Sequence, residues 1–231
     1  MTNISITYSR HNSAAMREQV KIATLYILLG AGGLWHLLGM FQTTMQILAA
    51  PLLIGLTIWL AIEYFLTMSA SQRWRFLTWS GGIVIAGFFL EWLGVKTGAV
   101  FGQYQYGEVL KPQLAGVPVS IGFAWLGLVL SSFAVAKSLL RRFVNNGIGV
   151  ILLAAILMIV FDLLMEPAAI QLDYWHWEGG KPGLQNYLVW FLAGLLFLVS
   201  GRRFGVLSDR IPRIGIHIYF AQLLYFILAI I

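Results

Sequence analysis

Three carboxylic acids stand where such a group is expensive. Glu91, Asp162 and Glu166 each fall near one end of a long apolar stretch. Ionisable side chains in such stretches are costly and usually functional. Asp162 and Glu166 are four residues apart, so on a helix they share a face. His36 and Asn186 fall at comparable positions in two further stretches. A carboxyl group surrounded by hydrocarbon keeps its proton more readily and can act as a general acid. Its target in apolar surroundings is an isolated double bond, whose protonation leaves a carbocation. Aromatic faces stabilise a desolvated cation by about 2 kcal/mol or more, and aromatic rings make up 14% of the chain. Water or a neighbouring double bond then captures the cation. The residue types do not choose between those outcomes.

Membrane helices must position these acids. Of 231 residues, 59% are hydrophobic and 10% charged, with a mean hydropathy of +0.81. A soluble domain carries about 25% charged residues, so a soluble globular enzyme is excluded. The apolar content also excludes disorder. There is no cysteine, hence no disulfide, thiolate nucleophile or Cys-based metal site. A spanning helix needs roughly 20 mostly apolar residues. Seven stretches qualify: 22–41, 47–67, 76–95, 117–136, 147–166, 184–200 and 213–231. The first does not read as a cleaved signal peptide, being too long and lacking a small-residue cleavage site in Met40–Gln46. The expectation is an all-α, polytopic membrane helical bundle of seven transmembrane helices, with residues 1–231 as one integral membrane domain.

The net charge of +6 is read here as topology rather than as affinity for nucleic acid. Arg10, Arg17, Lys21, Arg73, Arg75, Lys137, Arg141, Arg142, Arg202, Arg203, Arg210 and Arg213 fall on one side of the alternating spans. Only Lys96, Lys111 and Lys181 fall on the other. This places the N-terminus in the cytoplasm and the C-terminus outside, in a multi-pass protein of the cytoplasmic membrane. Glu18, Glu63 and Asp209 lie on the basic side, Glu63 as a boundary residue. Glu91, Glu108, Asp162, Glu166, Asp173 and Glu178 lie toward the outside. His36, Glu91 and Asp162 are each four or five residues from the outer end of their span, roughly 6–8 Å deep. Glu166 precedes Pro167 and is compatible with a simple helix end.

A weak internal repeat links the acids to the outer loops. At an offset of 71, Glu91 aligns with Asp162 and Tyr104-Gln-Tyr106 with Trp175-His-Trp177. Lys111-Pro112 and Lys181-Pro182 follow at an offset of 70. The repeat makes Glu91 and Asp162 counterparts across one pocket. Loops 96–116 and 167–183 are long and glycine-rich, and long ordered loops are usually functional. Their aromatic residues are either an interfacial belt or a lid over the acids.

The stretch EWLGVKTGAVFGQYQYGEVLKPQLAGVPVSIGFAW (Glu91–Trp125) resembles the carotenoid biosynthesis membrane-protein family, which includes the bisanhydrobacterioruberin and γ-carotene hydratases. Glu91, Gly94, Thr97, Gly98, Phe101, Gly102, Tyr104, Tyr106 and Gly116–Pro118 match that family's first block. Asp162, Glu166, Pro167, Trp175, Trp177, Asn186 and Trp190 match its second. Pro182-Gly183 departs from the expected glycine-valine-proline turn. The resemblance covers roughly residues 90–190, the other spans matching only by hydropathy. It implies a cofactor-free, metal-free hydratase that adds water across the terminal double bond of an acyclic carotenoid ψ-end group. It also implies carotenoid and water as substrates, the lipid bilayer as surroundings, no nucleic acid, and room for association with other carotenoid-pathway enzymes. The expected catalytic residues are Glu91, Asp162 and Glu166. Those expected around the substrate are His36, Trp92, Tyr104, Tyr106, Trp175, Trp177 and Asn186. A lycopene-type cyclase shares the protonation step and is the first rival. A magnesium-dependent prenyltransferase and a transporter with acidic coupling sites are the others.

Overall fold

The computed structural model describes residues 2–142, 147–207 and 210–231, with side chains from residue 15 onward. Its helices are α1 (Thr2–Leu37), α2 (Gln42–Thr67), α3 (Ala70–Thr97), α4 (Ser120–Leu139), α5 (Gly147–Gln171), α6 (Leu184–Arg203) and α7 (Ile214–Ile230). Six are long and apolar enough to cross a membrane, α1 through its part Ala15–Leu37, while α7 is shorter at 17 residues. The protein is a polytopic helical membrane protein. In lipid each backbone polar group must be satisfied within the protein, which is why apolar runs of this length become helices.

Two helix C-terminal ends lie four or more residues from the hydropathy reading. The first span closes at Leu37 rather than residue 41, because Gly39 and Phe41 both take left-handed backbone angles (φ 65° and 53°) and turn the chain. The fifth span runs through Pro167 to Gln171 instead of stopping at Glu166. Proline removes one intrahelical hydrogen bond, a loss that packed membrane helices tolerate. Glu166 therefore lies inside α5, one turn beyond Asp162.

The bundle is organised around α4, which packs against α2, α3, α5, α6 and α7 and is the most buried spanning helix. Two glycines bring α3 and α4 together. A Cβ on Gly122 would sit 2.3 Å from the Val84 carbonyl oxygen, and one on Gly87 would sit 2.8 Å from the Trp125 ring. Small residues permit such close helix approach. Here the approach lays Trp125 alongside the turn of α3 that carries Glu91.

The basic segments gather at one end of the bundle. Lys21 of α1 pairs with Glu63 of α2, which also accepts from Trp59 Nε1 at 3.2 Å. Arg73 lies over the Phe65 ring at 4.9 Å, and Gln72 Nε2 donates to the Gly205 carbonyl at 3.4 Å. The Arg10 side chain and Asp209 lie outside the described residues. At the opposite end two loops supply short strands. β1 (Tyr104–Tyr106) pairs antiparallel with β4 (Trp175–Trp177), and β2 (Gln113–Leu114) with β3 (Val117–Pro118). The two aromatic-x-aromatic segments of the repeat thus pair with each other, Tyr104 opposite Trp177 and Tyr106 opposite Trp175.

Candidate active site

Alternation along a strand sends residues i and i+2 to the same face. In the ribbon this turns Tyr104, Tyr106, Trp175 and Trp177 toward the helices, while Gln105 and His176 face outward and are exposed. The inward rings cap a cavity of about 90 Å³ that is lined by Glu91, Asp162 and Glu166. A water occupies roughly 30 Å³, so the enclosed space admits only the tip of a long molecule. The lining is mainly aromatic and aliphatic, with Trp125, Phe161, Trp190 and Phe226 among its walls.

The three acids are buried, Glu91 at 6%, Asp162 at 1% and Glu166 at 4% exposure, and their hydrogen bonding differs. Glu91 Oε2 accepts from the Tyr104 and Tyr106 hydroxyls at 2.6 and 2.8 Å, and Oε1 from Trp125 Nε1 at 2.9 Å. Burial, and then the Glu91 carboxylate beside them, hold both phenols above their ordinary range, so they remain donors. Glu166 Oε2 accepts from Trp175 Nε1 at 3.2 Å and Trp177 Nε1 at 2.9 Å. Asp162 Oδ2 accepts from Asn186 Nδ2 at 2.7 Å, while Oδ1 is buried with no hydrogen-bond partner among the described residues. Buried polar atoms are almost always paired, which sets this oxygen of a cavity-lining residue apart from the two of Glu91.

The model of the carotenoid biosynthesis protein family matches residues 49–229. The chain belongs to this family. It is 31% identical over 118 residues to a bisanhydrobacterioruberin hydratase from Haloarcula japonica, covering 48% of this chain and 40% of that protein. The match therefore spans well under two thirds of the relative's length. No solved structure matches the chain.

In this carotenoid biosynthesis protein the cavity gathers eight of the ten expected site residues: the three acids, Tyr104, Tyr106, Trp175, Trp177 and Asn186. Two lie elsewhere. Trp92 is on α3 but turned away from the cavity, edge-on to Phe89 at 6.3 Å. His36 lies in a separate depression, where Nε2 meets the Tyr225 hydroxyl at 2.9 Å and Nδ1 meets Gln42 Oε1 at 3.2 Å. Among the described residues it reaches the cavity wall through Tyr225, whose hydroxyl lies 3.3 Å from that of Tyr174. The repeat also pairs the acids differently from its alignment. The second aromatic pair serves Glu166, not Asp162, so Glu166 is the hydrogen-bonded counterpart of Glu91. Trp125 and Trp190, stacked at 4.2 Å, line the cavity without standing among the site residues expected from sequence. The available signal was an indole N–H in mid-span at residue 125, which needs a partner when buried.

Proposed function

We propose that this protein is a carotenoid hydratase that adds water across the terminal double bond of an acyclic ψ-end group. The observation carrying this reading is the buried Asp162 Oδ1, without a partner among the described residues, on a mainly apolar cavity wall beside two further carboxyls. The hydratase name of the Haloarcula relative supports hydration over ring closure.

The assigned roles follow from the hydrogen bonds. Asp162, with one oxygen held by Asn186 and the other open, is the general acid. Its proton goes to the inner CH carbon of the double bond, and the tertiary cation forms on the terminal carbon that bears the two methyl groups. Glu91, with three donors on its two oxygens, is the fixed carboxylate that offsets the cation's charge. The Trp125–Trp190 stack and the ribbon rings present π faces to the cation. Water attacks the cation at the dimethyl carbon, and its surplus proton returns to the Asp162 carboxylate, directly or by way of Glu166. Glu166 Oε1, which has no partner among the described residues and lies one turn from Asp162, suits a water-positioning role. One water is consumed and the acid is regenerated, so the cycle needs no redox partner.

The chain is read as lying in the cytoplasmic membrane with its N-terminus in the cytoplasm, α7 as a seventh span and the acid cavity in the outer leaflet. The basic end of the bundle supports that orientation. The test is expression in a lycopene-producing host followed by pigment mass analysis, with a chelator present in the matching membrane assay. A gain of one water per modified end supports hydration. An isomer of unchanged mass identifies a cyclase, and loss of activity with chelator returns the prenyltransferase reading.

A further inference from the structure

We propose that the membrane-facing groove between α2 and α3 binds the conjugated chain of the substrate while its tip occupies the acid cavity; this rests on the carotenoid reading of that cavity. Both helices pack on α4 but scarcely touch each other, leaving a slot of about 540 Å³ floored by Phe123 and Leu126 of α4. The slot runs along the inner half of the bundle, to Phe65 on α2 and Phe76 on α3. The acid cavity lies in the outer half, and Thr57 lines both. The junction is narrow. Thr57 Oγ1 donates to the Phe123 carbonyl at 3.0 Å, so its hydroxyl is satisfied. Opposite it, a Cβ on Gly127 would sit 2.6 Å from that oxygen.

Length and chemistry both select the occupant. Glu91 and Leu77 are 14 residues apart on α3, about 21 Å along the axis. Cavity and groove together thus take a rod that starts at the acids and crosses the midplane of a roughly 30 Å hydrocarbon layer. The groove carries no ionisable side chain, and its polar side chains are Thr57 and Ser80. It therefore suits an extended hydrocarbon and offers nothing to a phosphate or sugar headgroup. A flat, stiff polyene loses little freedom on entering a slot between two helices, whereas a flexible acyl chain must be ordered to do so.

Gly81 lines the groove and a Cβ there meets nothing within 4 Å. Gly82 beside it is equally unobstructed but does not line the groove. Gly81→Phe and Gly82→Phe should both fold as wild type. Two readouts apply: hydration kinetics, and binding of an acyclic carotenoid followed by its absorption shift. Gly81→Phe should weaken binding and raise KM about tenfold or more. It should leave turnover of a short acyclic isoprenoid with the same terminal double bond unchanged, and Gly82→Phe should change neither. Carotenoid binding that Gly81→Phe weakens supports the groove even if the wild type hydrates nothing, in which case only the catalytic reading falls. Unchanged carotenoid binding and KM in Gly81→Phe would overturn the groove proposal and assign the slot to lipid or to a second copy of the chain. A wild type that binds no carotenoid would overturn both readings.

Discussion

Tyr104 and Trp177 face each other across the two-stranded ribbon with ring centroids 5.0 Å apart, and they donate to different acids. Tyr104 bonds Glu91 on α3 and Trp177 bonds Glu166 on α5. A three-residue ribbon is too short to be stable alone. Its fixed geometry comes from cross-strand aromatic contacts and from the carboxylates beneath it. Lid and acids are therefore one unit.

The acids should separate by what they support. Asp162→Asn keeps its shape and loses its proton, so product formation should fall by about 10²–10⁴-fold with an unchanged melting temperature in detergent. Glu91→Gln should also abolish product, but it replaces an acceptor of three donors and should lower the melting temperature as well. Product measured per folded protein, with melting curves, checks both. Full activity in both variants would sink the site assignment.

Gly107 closes the ribbon. Its N–H donates to the Tyr174 carbonyl at 3.0 Å, and a Cβ there would sit 2.1 Å from the Asp173 carbonyl oxygen. Gly107→Ala should cost about 1–3 kcal/mol and reduce activity without touching an acid. Gly179, which follows the partner strand in the other loop, has open space around its Cβ position, so Gly179→Ala is the control and should be silent. Equal melting temperatures for the two variants would contradict the ribbon's tie to stability.

The lid phenols set an alkaline limit. Burial holds Tyr104, Tyr106 and Tyr174 above the ordinary phenol range, with the Glu91 carboxylate adding to this for the first two and Tyr225 for the third. An unfolded chain ionises these phenols near pH 10. The folded state then binds more protons, and stability falls as pH rises. The contribution is fully present below about pH 10 and is lost above it. Melting curves from about pH 8 to about pH 11 should show this loss, and Tyr106→Phe should blunt it. A flat profile would contradict phenols held as donors.

Orientation is testable because the chain has no cysteine. Gln105 and His176 are the exposed middle residues of the two strands. Single Gln105→Cys and His176→Cys variants should react with an impermeant thiol reagent from outside the cell only. Labelling from the cytoplasmic face alone would invert the proposed topology.

Much of the fold was legible because burying backbone in lipid admits few solutions. Seven apolar runs became seven helices, and the acids could be recognised by their cost. What was illegible depended on rotation and pairing. Hydropathy cannot say which way a helix turns, so Trp92, next to Glu91 in sequence, points away from the cavity. Nor could a count of spacing foresee α5 continuing through Pro167, because neighbouring helices determine whether proline ends a membrane helix. That continuation makes Glu166 rather than Asp162 the acceptor for the second aromatic pair. The repeat was visible as an alignment, but that its two copies would hydrogen-bond to each other was not.

The Asp162–Asn186 bond also has a consequence for biosynthesis. The two residues are 24 positions apart, which at about 5–20 residues per second is roughly one to five seconds of translation. Throughout that interval Asp162 lacks its amide partner, and the Trp175–Trp177 strand is made 13 to 15 residues after it. Glu91 has Tyr104, Tyr106 and Trp125 within the next 34 residues. The Glu91 cluster, from Glu91 to Trp125, is thus fully synthesised before Asp162 is.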